Sequence, residues 1–272
     1  MISLPNQICY INGSVDKPTH PQNVYAFDSA IISNVYSPTK RCWVITFDGT
    51  VTSIGRSAFS HCSDLKRVFL GSSVRYIGDE AFFCCEGLET ITIPHSVLAI
   101  SDAAFYGCCG LTEIELNDGL RFMGKSVFVD CINLKSITLP DSITTIEENL
   151  FSGCYGLTRV YLPDCVTHIK KAAFSCCRNI ETITIPSGVM AIEERAFYNC
   201  ISLKEVHCLP SIPPIASSHT WDGYIQDYIW GAFDKKGYDQ IGCKIIVPFG
   251  SAIKYHKAKN WNNYAKYIAE KV

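Results

Sequence analysis

The sequence predicts an α/β-type repeat solenoid that is mostly β, built from seven coils of 23 residues and closed by a cap at each end. Three observations carry this. Phenylalanine recurs every 23 residues, at Phe59, Phe82, Phe105, Phe128, Phe151, Phe174 and Phe197. Cysteine stands three residues after each, at Cys62, Cys85, Cys108, Cys131, Cys154, Cys177 and Cys200. An aliphatic residue or Met stands six after and five before, as in Leu65 and Ile54, with Ile180 and Met123 the departures in those two columns. Four columns held in register over residues 51–211 exclude coincidence, and a period of this length marks stacked units rather than one closed core.

The elements follow in chain order. Residues 1–42 are off register and rich in Pro, Asn, Ser and Thr; with possible strands at 8–11 and 30–33 they read as an N-terminal cap segment. Residues 43–211 are the solenoid, with the regular repeats at 51–211. Each unit carries an alternating run such as Val68-Phe69-Leu70 or Ile91-Thr92-Ile93, which is strand periodicity. Proline follows at Pro94, Pro140, Pro163 and Pro186 and ends the strand, because it removes a ladder donor. A second short extended piece such as Arg75-Tyr76-Ile77 comes next, with Gly55, Gly78 or Gly124 expected to permit a turn. The Ala-Phe-x-x-Cys segment is then a single helical or 3₁₀ turn, too short for a normal crossover helix. A 23-residue unit cannot bury its own apolar face, so stability comes from the stack. Residues 212–272 are the C-terminal cap: Ser251 is placed to cap a short helix carrying Ile253 and Tyr255, and Trp261, Tyr264 and Ile268 to cover the last coil. The eighth phenylalanine, due at position 220, arrives at Phe233, which leaves an aromatic insertion over 218–233.

Composition narrows the function classes. The apolar fraction of 47% excludes a disordered chain. A net charge of -2 gives no electrostatic case for nucleic acid or for a polybasic membrane anchor. No run approaches 18 apolar residues, so no transmembrane helix is expected. The start has neither a basic n-region nor an apolar h-region, which reads as no signal peptide and hence a cytoplasmic chain as written. Fifteen cysteines would suggest disulfides, but seven are one repeat position written seven times. Cysteines 23 apart, with no C-x-x-C, are a poor metal frame and a good buried ladder. No metal or other cofactor is predicted. The seven histidines occupy scattered repeat positions, and neither H-E-x-x-H nor a nucleophile elbow occurs. No catalytic residue is assigned, and the protein is read as not an enzyme.

The unit Ile-Gly-x-x-Ala-Phe-x-x-Cys-x-x-Leu-x-x-Ile-x-Ile-Pro, clearest from Ile77-Gly78 to Ile93-Pro94, resembles the BspA-like leucine-rich repeat family, the Treponema pallidum type. Residues 43–51 look like the opening coil of such proteins and residues 244–251 like their closing segment. The resemblance implies a right-handed, curved leucine-rich repeat whose β-face binds a partner. It also implies a bacterial cell-surface or secreted setting, with cell adhesion among the roles.

The predicted function is therefore a non-catalytic protein-interaction or adhesion module. Its partner would be a protein, such as a host or surface protein, held on the exposed face of the parallel sheet. Eight and ten residues after each phenylalanine, the outward rows are mostly Thr and Ser, as β propensity and solubility favour. The departures are the predicted partner-binding residues: Arg67, Phe69, Glu113, Glu115, Arg159, Tyr161 and His207. Aromatic residues beside Arg are frequent interface anchors. The alternative is a carbohydrate-binding module that uses Trp221, Tyr224, Tyr228 and Trp230 of the insertion to bind a glycan. An enzyme is the remote alternative.

Overall fold

The computed structural model describes residues 4–216 and 243–271. It is a β-rich parallel-sheet solenoid of about eight turns. Each coil contributes one strand to each of two ladders. The long ladder takes three- or four-residue strands such as Arg67–Phe69, Thr90–Thr92 and Glu113–Glu115. The short ladder takes two-residue strands such as Tyr76–Ile77, Ala99–Ile100 and Phe122–Met123. Successive strands pair in parallel at a shift of one repeat, Arg67 with Thr90 and Thr90 with Glu113.

The third side of each coil is the Ala-Phe-x-x-Cys segment. It has the i→i−3 hydrogen bonds of a 3₁₀ turn, Phe83 N–H to Glu80 C=O at 3.0 Å and Cys85 N–H to Phe82 C=O at 3.2 Å. It does not propagate as a helix, because the residues two before and two after each phenylalanine take left-handed φ. Glu80 (56°), Cys84 (52°), Ala103 (54°) and Asp130 (56°) are examples. For a non-glycine residue this costs roughly 1–2 kcal/mol. It is offset because the rotated peptides donate to the next coil: Phe82 N–H bonds Ala104 C=O at 2.8 Å and Cys84 N–H bonds Tyr106 C=O at 2.7 Å. Backbone bonds therefore stitch the coils together on the turn side as well. Gly107 (68°) and Gly153 (74°) supply two of these conformations, but the glycines that precede the turn, Gly55, Gly78 and Gly124, do not. A Cβ on Gly78 would lie 3.0–3.1 Å from the backbone of Gly55 and Arg56, so the bare backbone there permits close stacking.

The interior is a set of continuous columns. Neighbouring phenylalanine rings from Phe59 to Phe197 stack with centroids 5.2–5.7 Å apart and planes within 18°. Each cysteine thiol from Cys85 to Cys200 donates to the carbonyl of the phenylalanine 26 residues earlier, at 2.9–3.2 Å. Burial pushes these thiols up: Cys62 to about 11, with Cys85, Cys108, Cys131, Cys154 and Cys177 raised as well.

The caps close both ends by different means. At the N-terminus, β1 (Gln7–Ile11), β2 (Ile31–Ser37) and β3 (Cys42–Phe47) form an antiparallel sheet in the order β2-β3-β1, and β1 pairs antiparallel with Arg67–Phe69. Residues 43–51, expected as an opening coil, thus begin with the central strand of that antiparallel sheet. Phe27 meets Phe59 edge-on at 5.8 Å and ends the ring column. Asn12, the one glycosylation-like position in the cap, is buried, with its amide on Lys17 C=O at 2.8 Å.

At the C-terminus, Lys244–Val247 and Ile268–Glu270 add two further parallel rungs. Trp261 and Tyr255 are fully buried and donate at 2.7 Å to the carbonyls of Pro214 and Pro210. The helix Ala252–Lys257 forms, but the Ser251 side chain makes no cap bond; the Glu270 carboxylate accepts the Ala252 N–H at 2.9 Å instead. Ile253 is exposed and takes no part in the cover.

Candidate functional site

The outer face of the long ladder carries the predicted partner-binding residues, and the stack places them one above another. Arg67, Glu113, Glu115, Arg159 and Tyr161 are exposed. They lie on alternate coils; the intervening coils present Thr90 and Thr92, Ser136 and Thr138, and Thr182 and Thr184. Along one row the charges run Arg67, Glu113, Arg159, Glu205; Arg67 and Glu113 are two paired rungs apart, about 9.6 Å at the usual strand spacing.

Two residues differ from the sequence expectation. Phe69 is half-buried: β1 lies beside its strand, and the ring packs against Cys9, Cys42 and Val44 of the cap. His207 is half-buried too, with Nε2 3.1 Å from the Glu205 carboxylate. Arg67, Glu113, Glu115, Arg159 and Tyr161 are left as the open group.

The ladder is not continuous beneath them. Among the described residues no strand pairing joins Glu113–Glu115 to Ser136–Thr138. A groove of about 890 Å³ opens there, lined by Glu113, Glu115, Asp118, Ser136, Thr138 and Asp141. Its acidic groups contrast with charges elsewhere on the coils, which pair with the neighbouring coil: Lys125 with Glu148 at 3.3 Å, Lys170 with Glu193 at 3.0 Å and Lys204 with Glu181 at 2.8 Å.

Among the described residues no three His, Cys, Asp or Glu side chains converge to hold a metal ion, and no helix is long and apolar enough to cross a membrane. Trp221, Tyr224, Tyr228 and Trp230 lie outside the described residues.

Residues 29–158 and 99–219 match the family described as "BspA type Leucine rich repeat region". The chain belongs to this family. This BspA-type chain is similar to the solved leucine rich repeat protein of T. pallidum, at 28% identity, with a TM-score of 0.51 over 67% of this chain and 90% of that one. It is also similar to a leucine rich cell surface protein from Faecalibacterium prausnitzii, at 22% identity, TM-score 0.33 and 57% of each chain. A third is a leucine-rich repeat protein from Bacteroides ovatus, at 21% identity, TM-score 0.37, 82% of this chain and 76% of that one. No curated protein matches.

A second outward row escaped the sequence reading. On the short ladder, six residues before each phenylalanine, Tyr76, Phe122 and His168 stand on alternate coils, separated by Ala99 and Thr145. Tyr76 and Phe122 are about half exposed (48% and 51%). The signal was available as a ring at one repeat offset on every second coil.

Proposed function

We propose that the protein is a non-catalytic interaction module that holds a partner protein on the outer face of its long ladder. Adhesion at a cell surface is the setting that the family resemblance implies. The observation that carries the reading is the division of the charges. Those that stabilise the stack are paired one coil away, whereas Arg67, Glu113, Glu115 and Arg159 are exposed on alternate coils and form no ion pair among the described residues. Unpaired Arg beside an exposed Tyr, as at Arg159 and Tyr161, is the composition of an interface anchor. Opposite charges two rungs apart set the register of a partner more than they set raw affinity.

The test compares proteins captured from host mucus and serum by the native chain and by the quadruple variant Arg67→Ala, Glu113→Ala, Arg159→Ala, Tyr161→Ala. Specific partners should be captured by the native chain and lost by the variant, with unchanged thermal stability. Equal capture by both removes the face from the function.

A further inference from the structure

We infer that the short ladder carries a second binding strip, for an extended acidic glycan with a carboxylate on alternate sugars. The strip is built from Arg75 and Tyr76 on one coil, Leu98 and Ala99 on the next, and Arg121 and Phe122 on the one after. The short-ladder register aligns Tyr76 with Ala99 and Ala99 with Phe122. The two rings therefore stand two rungs apart, about 9.6 Å, with the small Ala99 as a floor between them. Arg75 and Arg121 are exposed beside the rings, and among the described residues neither has an ion-pair partner.

An exposed aromatic ring offers a flat apolar face, and two on a fixed rung spacing select a stiff chain that presents flat apolar faces at the same interval. Sugar rings of an extended polysaccharide do so, every second ring turning the same way up. The cations choose the charge of that chain. One Arg per two rungs is one positive charge per about 9.6 Å, far sparser than the phosphate of a nucleic acid strand at about 3.4 Å. Asp79 and Asp102, exposed three residues beyond Tyr76 and Ala99, further disfavour a dense polyanion. A polymer with one carboxylate per two sugars matches both the ring spacing and the cation spacing. The strip lies on a different ladder from the proposed protein-binding face and is independent of it.

The test is calorimetric titration with a hyaluronate oligosaccharide, its carboxyl-reduced form and single-stranded oligothymidylate. Two variants remove the strip with residues the same rows already accept: Tyr76→Thr with Phe122→Thr, as at Thr145, and Arg75→Thr with Arg121→Thr, as at Thr144 and Thr167. Hyaluronate should bind the native chain, weaken with added salt, and lose about tenfold or more in each variant, roughly the effect of one good contact. The variant Arg67→Ala, Arg159→Ala, Tyr161→Ala should bind it unchanged. No binding by the native chain, equal binding by either strip variant, loss in the long-ladder variant, or equal binding of the carboxyl-reduced or thymidylate probe would overturn the assignment.

Discussion

The inside of each coil and its outside obey opposite rules. The phenylalanine and cysteine columns repeat without exception, because each ring stacks on the rings above and below and each thiol satisfies the carbonyl of the preceding coil. A change in one coil leaves its neighbours with a hole or with a carbonyl that has lost one of its two donors. The outer rows have no such coupling: Thr90 does not constrain Glu113 beyond compatibility with a strand. Variation is therefore confined to positions where the stack imposes nothing, and the two alternate-coil rows are where a ligand can be read.

If the columns are dry, stability should fall steeply in alkali. Burial holds the column thiols above their ordinary value of 9.0, Cys62 up to about 11 and Cys85, Cys108, Cys131, Cys154 and Cys177 also raised. The unfolded chain therefore releases protons at a pH where the folded chain still holds them. The stability is fully present below the unfolded value and is lost as pH rises towards the folded one. A thiol that stays protonated in the fold contributes a slope of up to about 1.4 kcal/mol per pH unit above pH 9, and several acting in one direction make this the largest expected effect. Buried Tyr10, pushed up to about 12, acts in the same direction. Urea midpoints at about pH 8 and 10 measure this; a flat profile would mean that the columns admit water.

Next in size is Phe128→Ala. Phe128 is fully buried in the central coil, with Phe105 and Phe151 stacked on either side. The cavity should cost about 3–5 kcal/mol. A loss below about 1 kcal/mol in urea unfolding would show that coils can slide to fill a gap and that the interior is not tightly coupled.

The cysteine column separates size from hydrogen bonding. Cys131→Val fills the space but removes one of the two donors to the Phe105 carbonyl, which keeps the Cys108 N–H at 3.2 Å, so the expected loss is that of one net hydrogen bond, about 0.5–1.5 kcal/mol. Cys131→Ser keeps a donor and should be the better tolerated of the two. The reverse order would reduce the thiol to a volume filler.

The same asymmetry explains what was legible in the sequence. The repeat fold and its columns follow from periodicity, since every coil solves one packing problem; the seven coils counted from the phenylalanines fall short of the roughly eight turns because the end turns carry no column residue. The antiparallel pairing of Cys42–Phe47 does not, because its partner depends on where the stack ends rather than on local pattern. Nor do the left-handed residues two before each phenylalanine, whose identities (Ser57, Glu80, Ala103, Asn149, Arg195) share no conformational signature; the bonds to the next coil impose the backbone there. Outward residues could be named from strand alternation on the long ladder. Burial of Phe69 by the cap, and the tie between His207 and Glu205, needed the third dimension. The short-ladder row was missed because a two-residue strand is too short to show alternation.

The smallest expected effect tests the outside rule directly. Glu113 and Glu115 stand on one exposed strand flanked by Thr90, Thr92, Ser136 and Thr138, so their mutual repulsion has no relief within the sheet. Glu113→Thr with Glu115→Thr copies the neighbouring coil and adds β-branched residues to the strand. Surface changes of this kind lie within about 0.5 kcal/mol, and here relief of repulsion sets the sign as stabilising. A calorimetric melting temperature that rises slightly, together with loss of partner capture, would place these carboxylates in binding alone. A drop equivalent to more than about 1 kcal/mol would mean that the open groove beneath them is held in shape by its own charges, and that inside and outside are not independent in this coil.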